Sequence, residues 1–352
     1  MILQENRLRL LFFPLRSSVF DAYVDVHFST IDKKRIKKQR GERKQREVKH
    51  MKLGMMGLGR MGMNMATRLL RGGHEVVAYN RSPQKALRLS AEEGAIAAKS
   101  PEEMVSMLQP PRVVWLMLPA GEPVEAMIDK LQELLSEGDV IVEGGNTMYK
   151  DDLRRKDSLK KRNIGYLDAG VSGGIWGLKV GYCLMIGGEK ELFELVEPVF
   201  STLAPVDGYL HCGGTGSGHF VKMVHNGIEY GMMQAYAEGF ELLEASDYSD
   251  DFDYGKISHL WNQGSVVRSW LLELLEDAFS EDPRLESIRG YVEDSGEGRW
   301  TVQQAVDTGV PIPVIAGSLF QRFRSRQENT FADRVLAGLR REFGGHAVKT
   351  EK

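Results

Sequence analysis

The stretch from Met51 to about residue 145 alternates short apolar runs with segments of helical periodicity, and no other feature restricts the possible folds as strongly. The apolar runs read KLGMMGL, EVVAYN, RVVWLML and DVIVEGG. Segments such as RMGMNMATRLLRGG and EPVEAMIDKLQELLSEG lie between them and repeat apolar residues at helical spacing. Strands that alternate with helices predict a parallel, doubly wound sheet of the α/β class.

The first turn of this pattern, GLGRMG, carries three glycines where a strand gives way to a helix. One glycine permits a tight turn, the second lets a pyrophosphate approach the backbone, and the third allows the helix to pack on the strand. An ordinary glycine-rich turn would not need a strand before it and a second strand at the right distance after it. We therefore predict a Rossmann-type dinucleotide-binding turn formed by Gly57, Leu58, Gly59, Arg60, Met61 and Gly62.

The residues after the second strand indicate which dinucleotide binds. An NAD site usually places an acidic residue about 20 positions beyond the glycines, where it holds the ribose hydroxyls. This chain has Asn80, Arg81 and Ser82 there, and an arginine can pair with the 2′-phosphate of NADP. The alternative is a plain surface arginine. We expect a cofactor that is NADP or NAD, with NADP favoured.

Loops after later strands place further candidate groups at the carboxyl edge of the sheet. The first of these loops lies where the nicotinamide half of the cofactor would run, and the others offer an amide, a hydroxyl and free backbone donors to cofactor or substrate. Each could also be simple turn chemistry, because loops use Asn, Ser and Gly anyway. The candidates are Leu118, Pro119 and Ala120 in LPAG, Asn146 in EGGNTMYKDD, and Ser172, Gly173 and Gly174 in VSGG.

A long helix is predicted from about Gly216 to Ala245, and one of its faces is polar. This face carries Lys222, His225, Asn226 and Glu229 at positions i, i+3, i+4 and i+7. A solvated stripe is the ordinary explanation, but the helix is otherwise rich in Phe, Met, Val, Ile and Gly. We expect it to be buried nearly all round, so that its polar groups serve a ligand. An amine and a carboxylate on one cleft wall suggest two proton-transfer roles, provided that the site lowers the lysine pKa.

Charge and cysteine content argue against several classes of function. Residues 1–50 hold 13 Lys and Arg against 6 Asp and Glu, whereas the rest of the chain holds 33 against 43. An acidic body argues against a nucleic-acid-binding core. No apolar segment is long enough to predict a membrane span. Cys183 and Cys212 lack the spacing of a disulfide framework or a zinc site, which favours a reducing cytosol.

The basic head, residues 1–50, allows three interpretations. It could be a targeting peptide, although its acidic residues and few serines count against that, or an arm that binds nucleic acid or membrane. The native start could instead be Met51, since a complete strand and glycine loop follow at once. A purine-rich ribosome-binding sequence in the gene before Met51, translated in frame, would then account for residues such as GERK. We expect either a disordered tail or a mis-assigned start.

Seven motifs together resemble the decarboxylating 6-phosphogluconate dehydrogenase family. They include GLGRMG, EGGNTMYKDD, VSGGIWGLKVGYCLMIGG, KMVHNGIEYG, GEGRWT, GVPIPVI and RREFGGH, and they cover most of the chain from Met51 to about His346. The length is similar to the short-chain bacterial branch, whose helical domain is a single unit. The resemblance implies a Rossmann-type domain over residues 51–215, followed by an all-helical substrate and dimerisation domain over residues 216–352.

The resemblance also implies chemical roles. Lys222 would take the C3 hydroxyl proton of 6-phosphogluconate and later polarise the 3-keto group, and Glu229 would protonate C1 of the enediol left by loss of CO2, giving ribulose 5-phosphate. No metal is implied, because a protonated lysine can serve as the electron sink. Substrate contacts are implied for Asn146, Ser172, Gly173, Gly174, His225, Asn226, Tyr230, Arg322, Arg340 and His346.

The phosphate end of the substrate site follows the family only in part. Arg322 matches the family's phosphate arginine, and Arg340 and His346 match a tail that reaches the neighbouring subunit's site, which implies a homodimer or homotetramer. Long-chain members place a substrate-binding lysine shortly before a GTGKW segment, whereas this chain reads EDSGEGRW and has no lysine before Gly296. Arg299 aligns with a later lysine, so it cannot be assumed to replace the missing one.

Two other functions are compatible with the same scaffold. A non-decarboxylating β-hydroxyacid dehydrogenase of the 3-hydroxyisobutyrate type shares the SGG turn and the helix lysine, but should lack His225 and the phosphate arginine with its tail. A catalytically silent NADP-binding regulator should lack Lys222 or Glu229. This chain has all of these residues, which favours the decarboxylating enzyme of the pentose phosphate pathway, acting on a small molecule in the cytoplasm.

Overall fold

Eight strands lie between residues 52 and 213 of the computed structural model, which describes residues 49–350. The strands are β1 Lys52–Met56, β2 Glu75–Tyr79, β3 Ile96–Ala97, β4 Val113–Leu116, β5 Val140–Glu143, β6 Gly165–Ser172, β7 Cys183–Gly188 and β8 Tyr209–Gly213. They form one sheet in the order β3-β2-β1-β4-β5-β6-β7-β8. All neighbours are parallel except β6 and β7, which are antiparallel. The predicted doubly wound sheet is therefore confirmed, whereas the sequence pattern indicates only β1, β2, β4 and β5.

Helices connect the strands and then continue alone to the end of the described residues. In the sheet region they are α1 Arg60–Arg71, α2 Pro83–Glu93, α3 Pro101–Ser106, α4 Glu122–Leu134, α5 Tyr149–Lys160, α6 Gly177–Val180 and α7 Lys190–Leu203. Beyond the sheet they are α8 Ser217–Glu244, α9 Tyr254–Asn262, α10 Trp270–Glu281, α11 Glu297–Thr308, α12 Pro313–Arg324 and α13 Phe331–Gly344. The predicted Rossmann-type domain followed by an all-helical region is confirmed. None of the described helices is long and apolar enough to cross a membrane. Residues 1–48 of the predicted basic tail lie outside the described part of the chain.

The sheet has an apolar core on each face because side chains alternate along its strands. In β4, Val113 and Trp115 join one buried cluster, whereas Val114 and Leu116 join the other. Both sets are fully buried. A strand covered on both faces reads as a continuous apolar run, which is why VVWL shows no alternation in the sequence.

The long helix α8 joins the sheet to the helical region. Its first turn lies against β6 and β7, where a Cβ on Gly218 would come within 2.4 Å of the Met185 carbonyl oxygen. A Cβ on Gly170 would come within 2.5 Å of the Lys222 Cβ, so both glycines are needed for this close approach. The far end of α8 packs in a separate small core that contains Phe240 and Tyr254. The two ends of one helix are thus held by two different cores.

The expectation that α8 is buried nearly all round is wrong for this chain. Val221, Ile228 and Leu242 are 40%, 51% and 74% exposed. Composition gives the number of apolar residues in a helix but does not say which faces its neighbours cover. Here the sheet and helices α11 and α12 cover only part of the circumference.

Candidate active site

A cleft of about 1670 Å³ opens where the carboxyl ends of β1, β2, β4, β5 and β6 meet the first half of α8. Its position is that expected for ligands of doubly wound sheets, because β1 and β4 are neighbours while their connections diverge. The cleft contains both halves of the predicted site. The glycine turn lies at one end, and the polar face of α8 forms one wall.

The glycine turn has the geometry that a dinucleotide requires. Gly57 has a φ of 92°, and a Cβ there would lie 2.3 Å from the Met117 carbonyl oxygen. A Cβ on Gly62 would lie 2.0 Å from the Gly57 oxygen, so α1 can pack on the turn only without a side chain. Gly59, by contrast, faces open space in the cleft, where a backbone can approach a pyrophosphate at the helix N-terminus. The residues present therefore suit a bound dinucleotide.

Asn80 supports the turn from within the protein. Its Oδ1 accepts a hydrogen bond from the Leu58 N–H at 2.9 Å, and its Nδ2 donates to the Ser82 carbonyl at 3.1 Å. Leu58 itself is buried and does not line the cleft, and its N–H is already bonded to Asn80. Asn80 lines the cleft while its polar atoms already have partners, which makes it a support for the turn as well as a candidate ligand.

The part of the cleft around the glycine turn and the end of β2 is cationic. Arg60, Met61, Arg81 and Ser82 line it as predicted, and Lys85 is an exposed cation there in addition to Arg60 and Arg81. In the loop after β4, Leu118 and Pro119 line the cleft whereas Ala120 does not.

The polar face of α8 and the loops that follow β5 and β6 line the same cleft. Lys222, His225, Asn226 and Glu229 all line it, together with Asn146, Ser172, Gly173 and Gly174. Burial lowers the pKa of Lys222, while the Glu229, Glu297 and Cys183 charges partly oppose that change. A lysine with a lowered pKa carries more of the neutral amine that can accept a proton.

A carboxylate from the helical region connects the polar face of α8 with the loop after β5. Glu297, in the first turn of α11, accepts hydrogen bonds from the side-chain amides of Asn146 and Asn226, the latter at 2.8 Å. Helix α11 comes close because Gly227 faces Thr301, whose Cγ2 would lie 2.9 Å from a Cβ at position 227. The hydroxyl of Thr301 also donates to the Met223 carbonyl at 3.0 Å.

Beneath the cleft, fully buried charges link β5, α5 and α8. The His219 Nδ1 lies 2.7 Å from the Asp152 carboxylate, and the Arg155 guanidinium lies 3.3 Å from Asp152 and 3.4 Å from Glu143. Burial lowers the pKa of His219, but Asp152 and the other nearby carboxylates outweigh it and raise the pKa to about 10. Burial raises the pKa of Glu143. Glu143, Asp152 and His219 could by spacing hold a metal, but Arg155 already supplies the positive charge there.

Four of the residues predicted to contact the substrate lie away from the cleft lining. Tyr230 and Arg322 are brought together, with the guanidinium 3.5 Å from the centre of the tyrosine ring. The Tyr230 hydroxyl also accepts from the Ser295 N–H at 3.2 Å, where the long-chain lysine is missing. Arg340 on α13 and His346 beyond it are exposed and do not reach the cleft.

Three features of the site escape the sequence prediction. Lys85 could have been found, since it lies one helical turn beyond Arg81. The buried cluster left a weaker signal: Glu143 is a carboxylate at the end of an apolar strand, and His219 lies one turn before Lys222. Glu297 belongs to the GEGRWT motif, but its partners are 71 and 151 residues away, so nothing local reveals them.

Comparisons with known proteins match both parts of the chain. The family model for the NAD binding domain of 6-phosphogluconate dehydrogenase matches residues 52–214, and that for the 6-phosphogluconate dehydrogenase C-terminal domain matches residues 218–347. The Bacillus subtilis protein YqeC, a provisionally assigned 6-phosphogluconate dehydrogenase, is 49% identical over 289 residues, which cover 82% of this chain and 95% of YqeC. The NAD(+)-dependent, decarboxylating 6-phosphogluconate dehydrogenase of Haloferax volcanii is 44% identical over 283 residues, or 80% of this chain and 93% of that protein.

Solved structures share the fold. Plasmodium falciparum 6-phosphogluconate dehydrogenase, whose structures include complexes with NADP+ and with 6-phosphogluconate, matches with a TM-score of 0.72 at 28% identity. The match covers 85% of this chain and 66% of the Plasmodium protein. Mycobacterium tuberculosis 3-hydroxyisobutyrate dehydrogenase matches with a TM-score of 0.63 at 22% identity, over 83% of this chain and 99% of that one, a likeness of fold alone.

Proposed function

The chain belongs to the 6-phosphogluconate dehydrogenase family, and from this premise we propose that it converts 6-phosphogluconate to ribulose 5-phosphate and CO2 while reducing NADP+ or NAD+. The observation that carries the proposal is the meeting, in one cleft, of a dinucleotide-binding glycine turn with Lys222 and Glu229 on α8. Since the product is a pentose phosphate, the reaction belongs to pentose phosphate metabolism.

Lys222 acts first as a base and then as an acid. When bound, the nicotinamide accepts the hydride that leaves C3. The neutral Lys222 amine, favoured by its lowered pKa, takes the proton of the C3 hydroxyl. The ammonium then returns that proton to the 3-keto oxygen as the C1 carboxylate leaves as CO2, so the electrons of the broken bond end in the enediol.

Glu229 completes the reaction by protonating carbon. In its acid form it gives a proton to the carbon that becomes C1 of the product, while the enediol oxygen returns a proton to Lys222. Transfer of one proton from Lys222 to Glu229 restores the starting state. Their separation of seven positions corresponds to about 10 Å along a helix, which leaves room for the sugar acid between the two side chains. Asn146, Ser172, Gly173, Gly174, His225 and Asn226 contact its carboxylate and hydroxyls.

The proposed cofactor preference is NADP. Arg81 and Lys85 line the end of the cleft beyond β2, and no acidic residue follows β2 to hold the ribose hydroxyls. The Plasmodium structure contains NADP+, whereas the Haloferax relative is NAD(+)-dependent. The two exposed cations support NADP for this chain.

The proposed assembly is a homodimer, or a homotetramer built from dimers, with the cofactor bound mainly by residues 51–215 and the substrate held by residues 216–352. Helix α13 carries no buried residue, and Phe331, Leu336 and Phe343 on it are 73%, 62% and 83% exposed. A second copy that covered this helix would bring Arg340 and His346 towards a neighbouring cleft, close to Tyr230 and Arg322 at the phosphate end. The two free cysteines support a reducing cytosol as the compartment.

Cofactor reduction with 6-phosphogluconate tests the proposed reaction. The wild-type protein should reduce NADP+ or NAD+ and release one CO2 for each reduced cofactor. Lys222→Ala should lower kcat by about 100-fold or more, because a general base typically contributes that much. Lys256→Ala is the matched control, since Lys256 lies on the exposed surface of α9.

Three results would overturn the proposal or parts of it. Absence of turnover with either cofactor would reject the reaction, and cofactor reduction without CO2 would favour a non-decarboxylating β-hydroxyacid dehydrogenase. Unchanged turnover in Lys222→Ala would reject the role of Lys222. Cofactor binding without turnover of either 6-phosphogluconate or 3-hydroxyisobutyrate would favour a silent regulator.

A further inference from the structure

Glu297 is a buried carboxylate in the cleft that the proposed reaction does not use. Its side chain is 2% exposed, although it lines the cleft. One oxygen, Oε1, accepts from the amides of both Asn146 and Asn226. The other oxygen, Oε2, is buried and has no hydrogen-bond partner among the described residues. A buried acceptor of this kind needs a donor, and a hydroxyl of a bound sugar acid would provide one.

The carboxylate fixes the orientation of the Asn226 amide. An ionised carboxylate only accepts hydrogen bonds, so Asn226 must turn its Nδ2 towards Glu297. Its Oδ1 then faces His225, whose Nδ1 lies 2.9 Å away. Because an amide oxygen only accepts, Nδ1 must carry the hydrogen, and in the neutral ring Nε2 keeps its lone pair. His225 can thus accept a hydrogen bond from a substrate hydroxyl.

The same carboxylate acts on the base. Burial lowers the pKa of Lys222, and the charges that oppose this come from three elements: Glu229 on α8, Glu297 on α11 and Cys183 on β7. Loss of the Glu297 charge alone should therefore lower the pKa of Lys222 further.

The geometry points to Glu297 as a positioning residue of the reaction, one that orients the amides of Asn146 and Asn226 and, through Asn226, decides which nitrogen of His225 carries the hydrogen. The inference rests on the proposed function for its kinetic consequences. Its structural part, the state of the His225 ring, does not depend on any substrate.

Two substitutions separate the charge of Glu297 from its hydrogen-bonding role. Glu297→Gln removes the charge but keeps an acceptor oxygen, whereas Glu297→Met removes both at similar side-chain length. Asp307→Asn is the matched control, because it removes an exposed carboxylate from the same helix, where Asp307 pairs with Lys150 on the surface. Thermal unfolding and NADP+ titration of each variant establish that the fold and the cofactor site persist.

In Glu297→Met, kcat/KM for 6-phosphogluconate should fall about tenfold to 100-fold, the usual effect of losing hydrogen bonds to a charged group. In both Glu297 variants the acid limb of the pH profile of kcat/KM should move to lower pH, by roughly half a unit or more, because the base loses a neighbouring negative charge. A purely structural role would lower activity without moving this limb. In ¹⁵N spectra of labelled histidine, the wild-type His225 ring should carry its hydrogen on Nδ1, and Glu297→Met should lose that preference.

The inference is overturned if Glu297→Met stays within twofold of Asp307→Asn in kcat/KM and keeps the wild-type state of the His225 ring. An acid limb that does not move in Glu297→Gln would reject the action of Glu297 on Lys222. A wild-type protein that does not turn over 6-phosphogluconate would reject the proposed function instead, and the His225 spectra would still test the role of Glu297.

Discussion

His219 and Lys222 lie three residues apart on α8, yet they have opposite environments. His219 is fully buried among permanent partners, and its pKa is raised to about 10 because nearby carboxylates outweigh the effect of burial. Lys222 lies at the edge of the cleft, where burial lowers its pKa. The first turn of the helix is thus paired inside the protein, while the next two turns present polar groups to an open space. Polar residues on one helix thus serve two purposes: His219 pairs with buried carboxylates, and Lys222 faces the cleft.

This comparison predicts which substitutions harm the fold and which harm only the reaction. Groups in the buried cluster should affect the free energy of unfolding in the absence of any ligand. The reactive groups Lys222 and Glu229 should have little effect until a substrate or cofactor is present, because both face the cleft and Glu229 approaches His225 only at 3.9 Å.

The largest expected effect is on catalysis at the cleft wall. Glu229→Gln should lower kcat by about 10²-fold to 10⁴-fold, the range typical of a lost general acid, while the free energy of unfolding stays nearly unchanged. Steady-state kinetics and urea denaturation measure the two quantities. Glu238→Gln, an exposed position on the same helix, is the control. Large destabilisation by Glu229→Gln would show that the cleft wall is also structural.

A comparable effect, but on stability, is expected from the buried cluster. Arg155→Met should lower the free energy of unfolding by about 3–5 kcal/mol, because it removes one of the two buried cations, Arg155 and His219, that pair with Glu143 and Asp152. Its neighbour Arg154 also pairs with Glu125 but is 60% exposed, so Arg154→Met should cost less than about 1 kcal/mol. Equal losses in urea denaturation would contradict the distinction between buried and exposed pairs.

The pH dependence of stability should show a smaller effect of the same cluster. The folded pKa of His219, about 10, lies above its ordinary value of 6.5, so the folded state holds the proton more tightly. Its stabilising contribution is complete below about pH 6.5 and is lost as pH rises towards 10, with a slope of at most about 1.4 kcal/mol per pH unit. His219→Gln should flatten the decline of the unfolding free energy over this window. An unchanged slope would show that His219 is not the group that titrates.

The smallest expected effect concerns the exposed cations of the cofactor end. Arg81→Ala should weaken NADP+ binding by about tenfold and leave NAD+ binding unchanged, since only NADP+ carries the 2′-phosphate. The difference should shrink as salt is added, because exposed charges are screened. Fluorescence titration with both cofactors at two ionic strengths measures it. The free energy of unfolding should not change, in line with the other groups of the cleft.

Much of the fold and of the cleft follows from local sequence patterns. The alternation of β and α segments predicts β1, β2, β4 and β5, and the periodicity after Gly216 predicts α8 to within about one residue at each end. The spacing of Lys222, His225, Asn226 and Glu229 predicts a shared face, and all four line one cleft. These features depend on neighbours within two helical turns, which a single sequence contains.

The remainder depends on contacts between distant segments. Strands β6 and β7 escape prediction because DAGVS and CLMIGG contain Gly170 and Gly187, which serve close packing against α8. Glu297 contacts Asn146 in the loop after β5 and Asn226 on α8, which are far away in sequence, and the buried cluster joins three elements. The exposed faces of α8 differ from expectation for the same reason, since burial is decided by the elements that pack on a helix.

The unbroken run of α8 from the sheet to the helical core has a consequence for how the chain can change in length. Each residue added to an α-helix rotates everything beyond it by about 100°. One insertion between Lys222 and Glu229 would turn the Glu229 carboxylate away from the cleft, even if the helix itself formed without strain. Insertions in the loops after α9 or α11 would leave that face intact. The number of residues between Lys222 and Glu229 therefore sets the angle between these two reactive groups around the helix axis. Tolerance to insertion and deletion should be lowest in this regular segment of α8.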